Sequence, residues 1–207
     1  IIGDYGFVTE PYDMCITNGH LLIADNAGAL VAVDISDEKQ PAVVSRLDTQ
    51  GPCRSVAVSG AFLYAADAQQ GVLIVDISDI TSPALLGTIK ETAGVGSTSV
   101  DNQLLQTQIL DERAQLYDIS DPKSPVLLGT ITLEYGNNRY TAARTSTSAA
   151  AGSSPANGGM PRATKPLMAF RNGLRGVSIW NVTDLSLPNL VGYYPIHGGC
   201  HGTASRG

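Results

Sequence analysis

The sequence predicts an all-β fold, a β-propeller built from four-stranded blades of about 42 residues. Three observations predict it. One phrase recurs at a fixed period: Val33-Asp34-Ile35-Ser36-Asp37, Val75-Asp76-Ile77-Ser78-Asp79 and Tyr117-Asp118-Ile119-Ser120-Asp121 place their first aspartates 42 residues apart. Each period holds four short apolar segments separated by Gly, Pro, Asp and Asn, the residues whose backbone shapes make turns. No stretch sustains helical periodicity.

The second unit states the pattern most fully. Strand A is Ser55–Val58 and turns at Ser59-Gly60, and strand B is Phe62–Ala66. Strand C, Val72–Ile77, is a continuous apolar run, as expected of a strand buried on both faces. Strand D is Ala84–Ile89, after the turn Ser78–Pro83. The first unit repeats these beats, with Asn18-Gly19 as a strong A–B hairpin signal. In the third, Gln106, Thr107 and Gln108 make strand B polar, yet Leu116-Tyr117-Asp118 and Pro125–Gly129 hold the phase. A fourth copy, Val177–Asp184, puts Asn181 at the aspartate position, 63 residues after Asp118, so about 21 residues are inserted before it.

The phase also describes the ends. Ile1-Ile2-Gly3 aligns with strand D, and the chain closes after a strand A, so about four and a half repeats are expected across residues 1–207. The chain is therefore expected to be part of a larger propeller or assembly. Its terminal half-blades, Ile1–Asn18 and Leu190–Gly207, offer open sheet edges for self-association by strand addition.

Composition narrows the function classes. A chain of 207 residues buries roughly 70% of its unfolded surface. No apolar stretch approaches the roughly 20 residues of a membrane-spanning helix. A net charge of −6 with scattered basic residues argues against nucleic acid as a partner. The three cysteines, Cys15, Cys53 and Cys200, lack metal-type spacing. Cys53 and Cys200 share one blade position and are expected to be small buried residues, not a disulfide pair.

The unit Gly71–Gly87, reading G-V-L-I-V-D-I-S-D-x-x-x-P-x-L-L-G, resembles the LVIVD-repeat family. Val56–Gly60 and Tyr64–Asp67 resemble that family's strands A and B, and the likeness covers nearly all of the chain outside residues 134–166. It implies a bacterial or archaeal β-propeller, exported or held at the cell surface, and it implies no reaction.

Candidate sites follow from the same phase. Asp34, Asp76 and Asp118 are each followed by Ser and a turn, so capping of the turn is expected in preference to calcium, which needs six to eight converging oxygens. Asn181 can cap in the same way, although Asn181-Val182-Thr183 is also formally a glycosylation sequon. The insertion, about residues 138–161, is rich in Ala, Ser, Thr, Gly and Pro and is expected to be flexible. It lies on the D–A and B–C face, where it is either a tolerated loop or a contact element. Arg139 and Tyr140 at its start, with Tyr12, Arg54 and His201, which share one repeat position, are the candidate binding residues.

No nucleophile–base pair, phosphate loop or metalloprotease motif is present, and no catalytic residue, metal or cofactor is assigned. The expected function is an exported, non-enzymatic surface module that binds a protein or surface glycan or takes part in assembly. The alternative is a metal- or haem-bearing redox protein using His197, Cys200 and His201, in a segment that resembles C-x-x-C-H with His197 in place of the first cysteine.

Overall fold

The computed structural model describes residues 8–37, 39–109, 113–132, 141–143, 167–171, 176–181, 189–195 and 204–206. Those residues form an all-β structure without helices. The first unit is β1 (Pro11–Thr17), β2 (His20–Asp25), β3 (Ala29–Asp34) and β4 (Ala42–Asp48). The second is β5 (Cys53–Ser59), β6 (Phe62–Asp67), β7 (Gly71–Asp76) and β8 (Ala84–Lys90). Each unit is one antiparallel meander whose sheet order follows the chain. The expected A, B, C and D segments of both units are these strands to within a few residues.

The turns explain the register. Asn18 and Gly19 both take positive φ (46° and 75°), as a two-residue hairpin loop requires, and Asn102 (54°) repeats this in the third unit. At the same end of the sheet, where strand three leads into strand four, each recurring aspartate caps its turn. Asp34, Asp76 and Asp118 accept the N–H of Ser36, Ser78 and Ser120 at 2.8, 2.9 and 2.8 Å. The turn-cap expectation is therefore met at all three sites. A second cap follows three residues on, where Asp37, Asp79 and Asp121 accept from Lys39, Thr81 and Lys123. The Ser36 hydroxyl and N–H hold the Asp34 carboxyl below the usual range, and Ser78 does the same for Asp76, as Thr81 does for Asp79. Stability from such groups is present above the unfolded carboxylate value of about 3.9 and is lost as pH falls through the lower folded values. The native state is therefore expected to weaken on acidification below about pH 4. Urea midpoints measured as a function of pH check this, and an Asp34→Asn/Asp76→Asn variant should show a flatter acid limb.

The third unit is β9 (Val95–Asp101), β10 (Leu104–Ile109), β11 (Arg113–Asp118) and β12 (Val126–Thr132), with a fifth strand, β13 (Thr141–Ala143), paired to β12. The fourth sheet holds β14 (Leu167–Arg171), β15 (Gly176–Asn181), β16 (Asn189–Pro195) and β17 (Ala204–Arg206), in the order β16-β15-β14-β17. A register shift recurs between Ala32 and Val33, Ile74 and Val75, Leu116 and Tyr117, and Ile179 and Trp180. That bulge increases local twist, and its return in β15 places the fourth unit in the phase read from the sequence.

Two features differ from the sequence expectation. The last strand does not stand as an open half-blade, because β17 pairs with β14 and supplies the first-strand position of the fourth sheet. Thr141–Ala143, inside the expected insertion, extends the third sheet as β13. The physical reason is shared: an open edge such as that of β14 or β12 takes whichever segment can pair with it. The residues before β14 are Ala-, Ser-, Gly- and Pro-rich, and Pro cannot donate to a ladder. Of the N-terminal half-blade expected over Ile1–Asn18, residues 1–7 lie outside the described residues, as does the insertion beyond Ala143.

The core lies between sheets. Leu22, Ala24, Leu30 and Ala32 of the first sheet pack with Leu63, Ala65, Leu73 and Val75 of the second. The opposite face of the second sheet, Tyr64, Ala66, Val72 and Ile74, packs with Val95, Leu105, Ile109 and Tyr117 of the third. Strands β3 and β7 are buried along nearly their whole length, which is why they read as unbroken apolar runs.

Side chains also bolt the first strands together. Asp13 on β1 accepts the Ser55 hydroxyl (2.7 Å) and the Val56 N–H (3.0 Å) of β5. Ser55, one period after Asp13, in turn accepts the Thr98 N–H of β9 at 3.2 Å. One repeat position thus reaches forward to the next unit twice.

Candidate functional site

The sheet end where the first and third strands begin carries two of the candidate residues, Tyr12 and Arg54. Tyr12 opens β1 and is 58% exposed. Arg54 holds the same place on β5, the strand packed beside β1, but it is half-buried and its Nε is buried without a hydrogen-bond partner. The structure therefore sets Tyr12 and Arg54 at equivalent positions on adjacent strands. Arg139, Tyr140 and His201 lie outside the described residues, as do His197 and Cys200. Among the described residues no group of three or more His, Cys, Asp or Glu side chains converges as a metal site would require.

Sequence reasoning missed a polar network at this end, between the second and third sheets. Glu91, just after β8, accepts from Arg113 Nη2 at 3.1 Å, from Gln115 Nε2 at 3.5 Å and from the Ala93 N–H at 3.3 Å. The Tyr117 hydroxyl donates to Gln115 Oε1 at 2.8 Å. In the second unit the places of Arg113, Gln115 and Tyr117 are held by Gly71, Leu73 and Val75. The departure from the repeat was the available signal, and it extends the polar character already evident in Gln106, Thr107 and Gln108. Burial pushes the Tyr117 hydroxyl up to about 12, the Glu91 charge adds to this, and Arg113 opposes it. Tyr117 therefore stays protonated and acts as a donor, not as a base. On β10 the amide of Gln106 and the hydroxyl of Thr107 are buried without hydrogen-bond partners.

The cysteines of the described residues offer no chemistry here. Cys53 is fully buried, as expected from the sequence, and Cys15 is half-buried; both are free thiols. Burial and the Asp67 charge push Cys53 up to about 12, and burial with Asp13 pushes Cys15 up to about 11. Thiolate is the reactive form, so Cys53 should resist iodoacetamide at pH 8 until the protein unfolds. Site-resolved mass spectrometry of labelling with and without urea checks this.

A second missed device positions the same end. Asp25 and Asp67, the last residues of β2 and β6, are fully buried. Asp67 accepts the N–H groups of Gly51, Gln69 and Gln70 at 3.0, 2.7 and 2.9 Å. Asp25 accepts those of Thr9, Glu10 and Ala27 at 3.3, 3.0 and 3.1 Å. Burial acts to raise the Asp25 carboxyl, but these donors, with the charge of Arg46, outweigh it and hold it low. Each aspartate ties the approach to a first strand to the turn between strands two and three.

These tandem units, stacked face to face and joined by side-chain bolts, define a repeat protein of four-stranded β meanders. The repeat can be identified. Residues 12–49 and 50–91 match the family model of the LVIVD repeat, and the two matches coincide with β1–β4 and β5–β8. These two units are LVIVD repeats. No curated protein matches the chain.

Proposed function

We propose that the sheets are blades of a β-propeller, and that the protein is an exported, non-enzymatic module that binds or assembles at the cell surface. The observation that carries this reading is the contrast between a repeated core and an end that varies. Tyr12 and Arg54 differ at one repeat position, while Glu91, Arg113, Gln115 and Tyr117 replace repeat residues nearby. A scaffold that holds variable side chains at one end suits recognition. The partner class is a protein or surface glycan, with Arg139, Tyr140 and His201 as further candidate contacts read from the repeat phase.

Two measurements test it. Small-angle scattering of a closed disc of this size gives a radius of gyration of about 17 Å, and an open arc gives a larger one. A photo-crosslinking residue at position 54, introduced on intact cells, is expected to capture a surface partner. Protection of the protein from protease added to intact cells, with no crosslink at position 54, overturns the surface reading.

A further inference from the structure

The fourth strands of the first three units carry one edge in three states. The sheets approach one another through their first strands, β1, β5 and β9, so β4, β8 and β12 lie on the outer side. Along β12 the edge is filled, because β13 pairs antiparallel with residues 130–132. Strand β8 repeats the sequence of that filled edge. Leu85-Leu86-Gly87-Thr88-Ile89 is identical to Leu127-Leu128-Gly129-Thr130-Ile131. Yet among the described residues no strand pairs with the outer side of β8. At every place but Thr88 its pentapeptide is less buried than the copy on β12. Ile131 is fully buried and Ile89 half-buried, and Leu85 and Leu86 are 51% and 40% exposed. On β4 the places of Thr88 and Lys90 are held by Arg46 and Asp48, an exposed ion pair at 3.0 Å. Charges along an edge strand discourage strand addition, so β4 is guarded. Strand β8 is uncharged up to Lys90, its last residue.

We propose that the open edge of β8 is a docking site for an extended segment of a partner protein, which adds to it as an antiparallel fifth strand. The proposal rests on the reading of the protein as a binding module and narrows the partner class to protein. The occupied edge defines the chemistry of the segment: β13 reads Thr141-Ala142-Ala143, small and uncharged. Backbone hydrogen bonds supply the affinity of such an addition, and alternate side chains supply its selectivity. The exposed Leu85 and Leu86 add apolar contact for a segment longer than β13. Because neighbouring sheets meet at their first strands, closing the units into a ring leaves this edge open.

Isothermal titration of the intact chain with a capped peptide of residues 139–145, which carries the β13 sequence, should show saturable binding. The same peptide N-methylated at alternate amides should not bind, since it keeps its charges but cannot join a ladder. Thr88→Arg/Lys90→Asp, which installs the residues of the first unit, should weaken binding on the order of tenfold while circular dichroism stays unchanged. In hydrogen exchange, residues 88–90 should include fast amides in the chain alone, and those amides should slow when the peptide is added. No binding, equal binding of the N-methylated peptide, or full binding by the Thr88→Arg/Lys90→Asp variant overturns the proposal. So does protection of every amide of residues 88–90 in the chain alone, since another part of the chain then covers the edge. Capture at position 54 is read independently, so an edge that takes no strand while capture persists refutes the docking edge and leaves the surface-module reading standing.

Discussion

Replacing Asp67 with Ala is expected to destabilise the protein by about 4 kcal/mol and to lower the thermal midpoint by roughly 10 °C. The carboxylate is fully buried and accepts three backbone N–H groups. Deleting it leaves the Gly51, Gln69 and Gln70 donors without their acceptor. Asp67→Asn should recover less than half of the loss, because one oxygen remains but an amide NH₂ then faces donors. Asp48→Ala is the control. Its pairing with Arg46 at 3.0 Å joins two side chains 80% and 46% exposed, and it should shift stability by no more than about 0.5 kcal/mol. Hydrogen exchange gives the local readout: the amides of Gly51, Gln69 and Gln70 should lose protection together in Asp67→Ala. Equal loss in Asp48→Ala, or retained protection in Asp67→Ala, refutes the clamp.

Features set by short sequence separation were the legible ones. Asp34, Asp76 and Asp118 cap residues two positions ahead, so their role follows from Asp-x-Ser beside a turn. Asn18-Gly19 fixes its hairpin locally in the same way. Asp67 was visible as a repeated residue, but its decisive partner, Gly51, lies 16 positions back on another connection. The Asp13–Ser55 and Ser55–Thr98 bolts span a whole period, and no local rule pairs them. Phase gave the last strand its type but not its sheet, because pairing of β17 with β14 depends on which edge is open. At the candidate site, Tyr12 and Arg54 were legible as variation at one position. The Glu91 network was not, since its carboxylate comes from a connection that carries no repeat signature.

Gly71→Ala is expected to cost about 4 kcal/mol, while the more prominent motif glycine, Gly87, should tolerate the same change. Gly71 takes φ of 115°, a conformation that L side chains rarely adopt, and an added Cβ would collide with the Ile89 carbonyl and the Glu91 nitrogen. Both obstacles are backbone, held by the pairing of Gly71 with Lys90, so neither can move without opening the β7–β8 ladder. Backbone strain of about 1–3 kcal/mol and overpacking of about 1–3 kcal/mol therefore act together. Gly87 lies in the LVIVD unit, yet a Cβ there meets nothing within 4 Å and the first unit has Ser45 at that place. Gly87→Ala should fall within about 0.5 kcal/mol of the parent protein. Gly60 separates the two causes: its φ of 57° is positive but the space around it is open. Gly60→Ala should cost about 1–2 kcal/mol from conformation alone. Urea unfolding of the three variants should give the order Gly71, Gly60, Gly87 in decreasing loss. A Gly87→Ala loss as large as that of Gly71→Ala would show that the repeat glycine is kept for a contact this geometry does not contain.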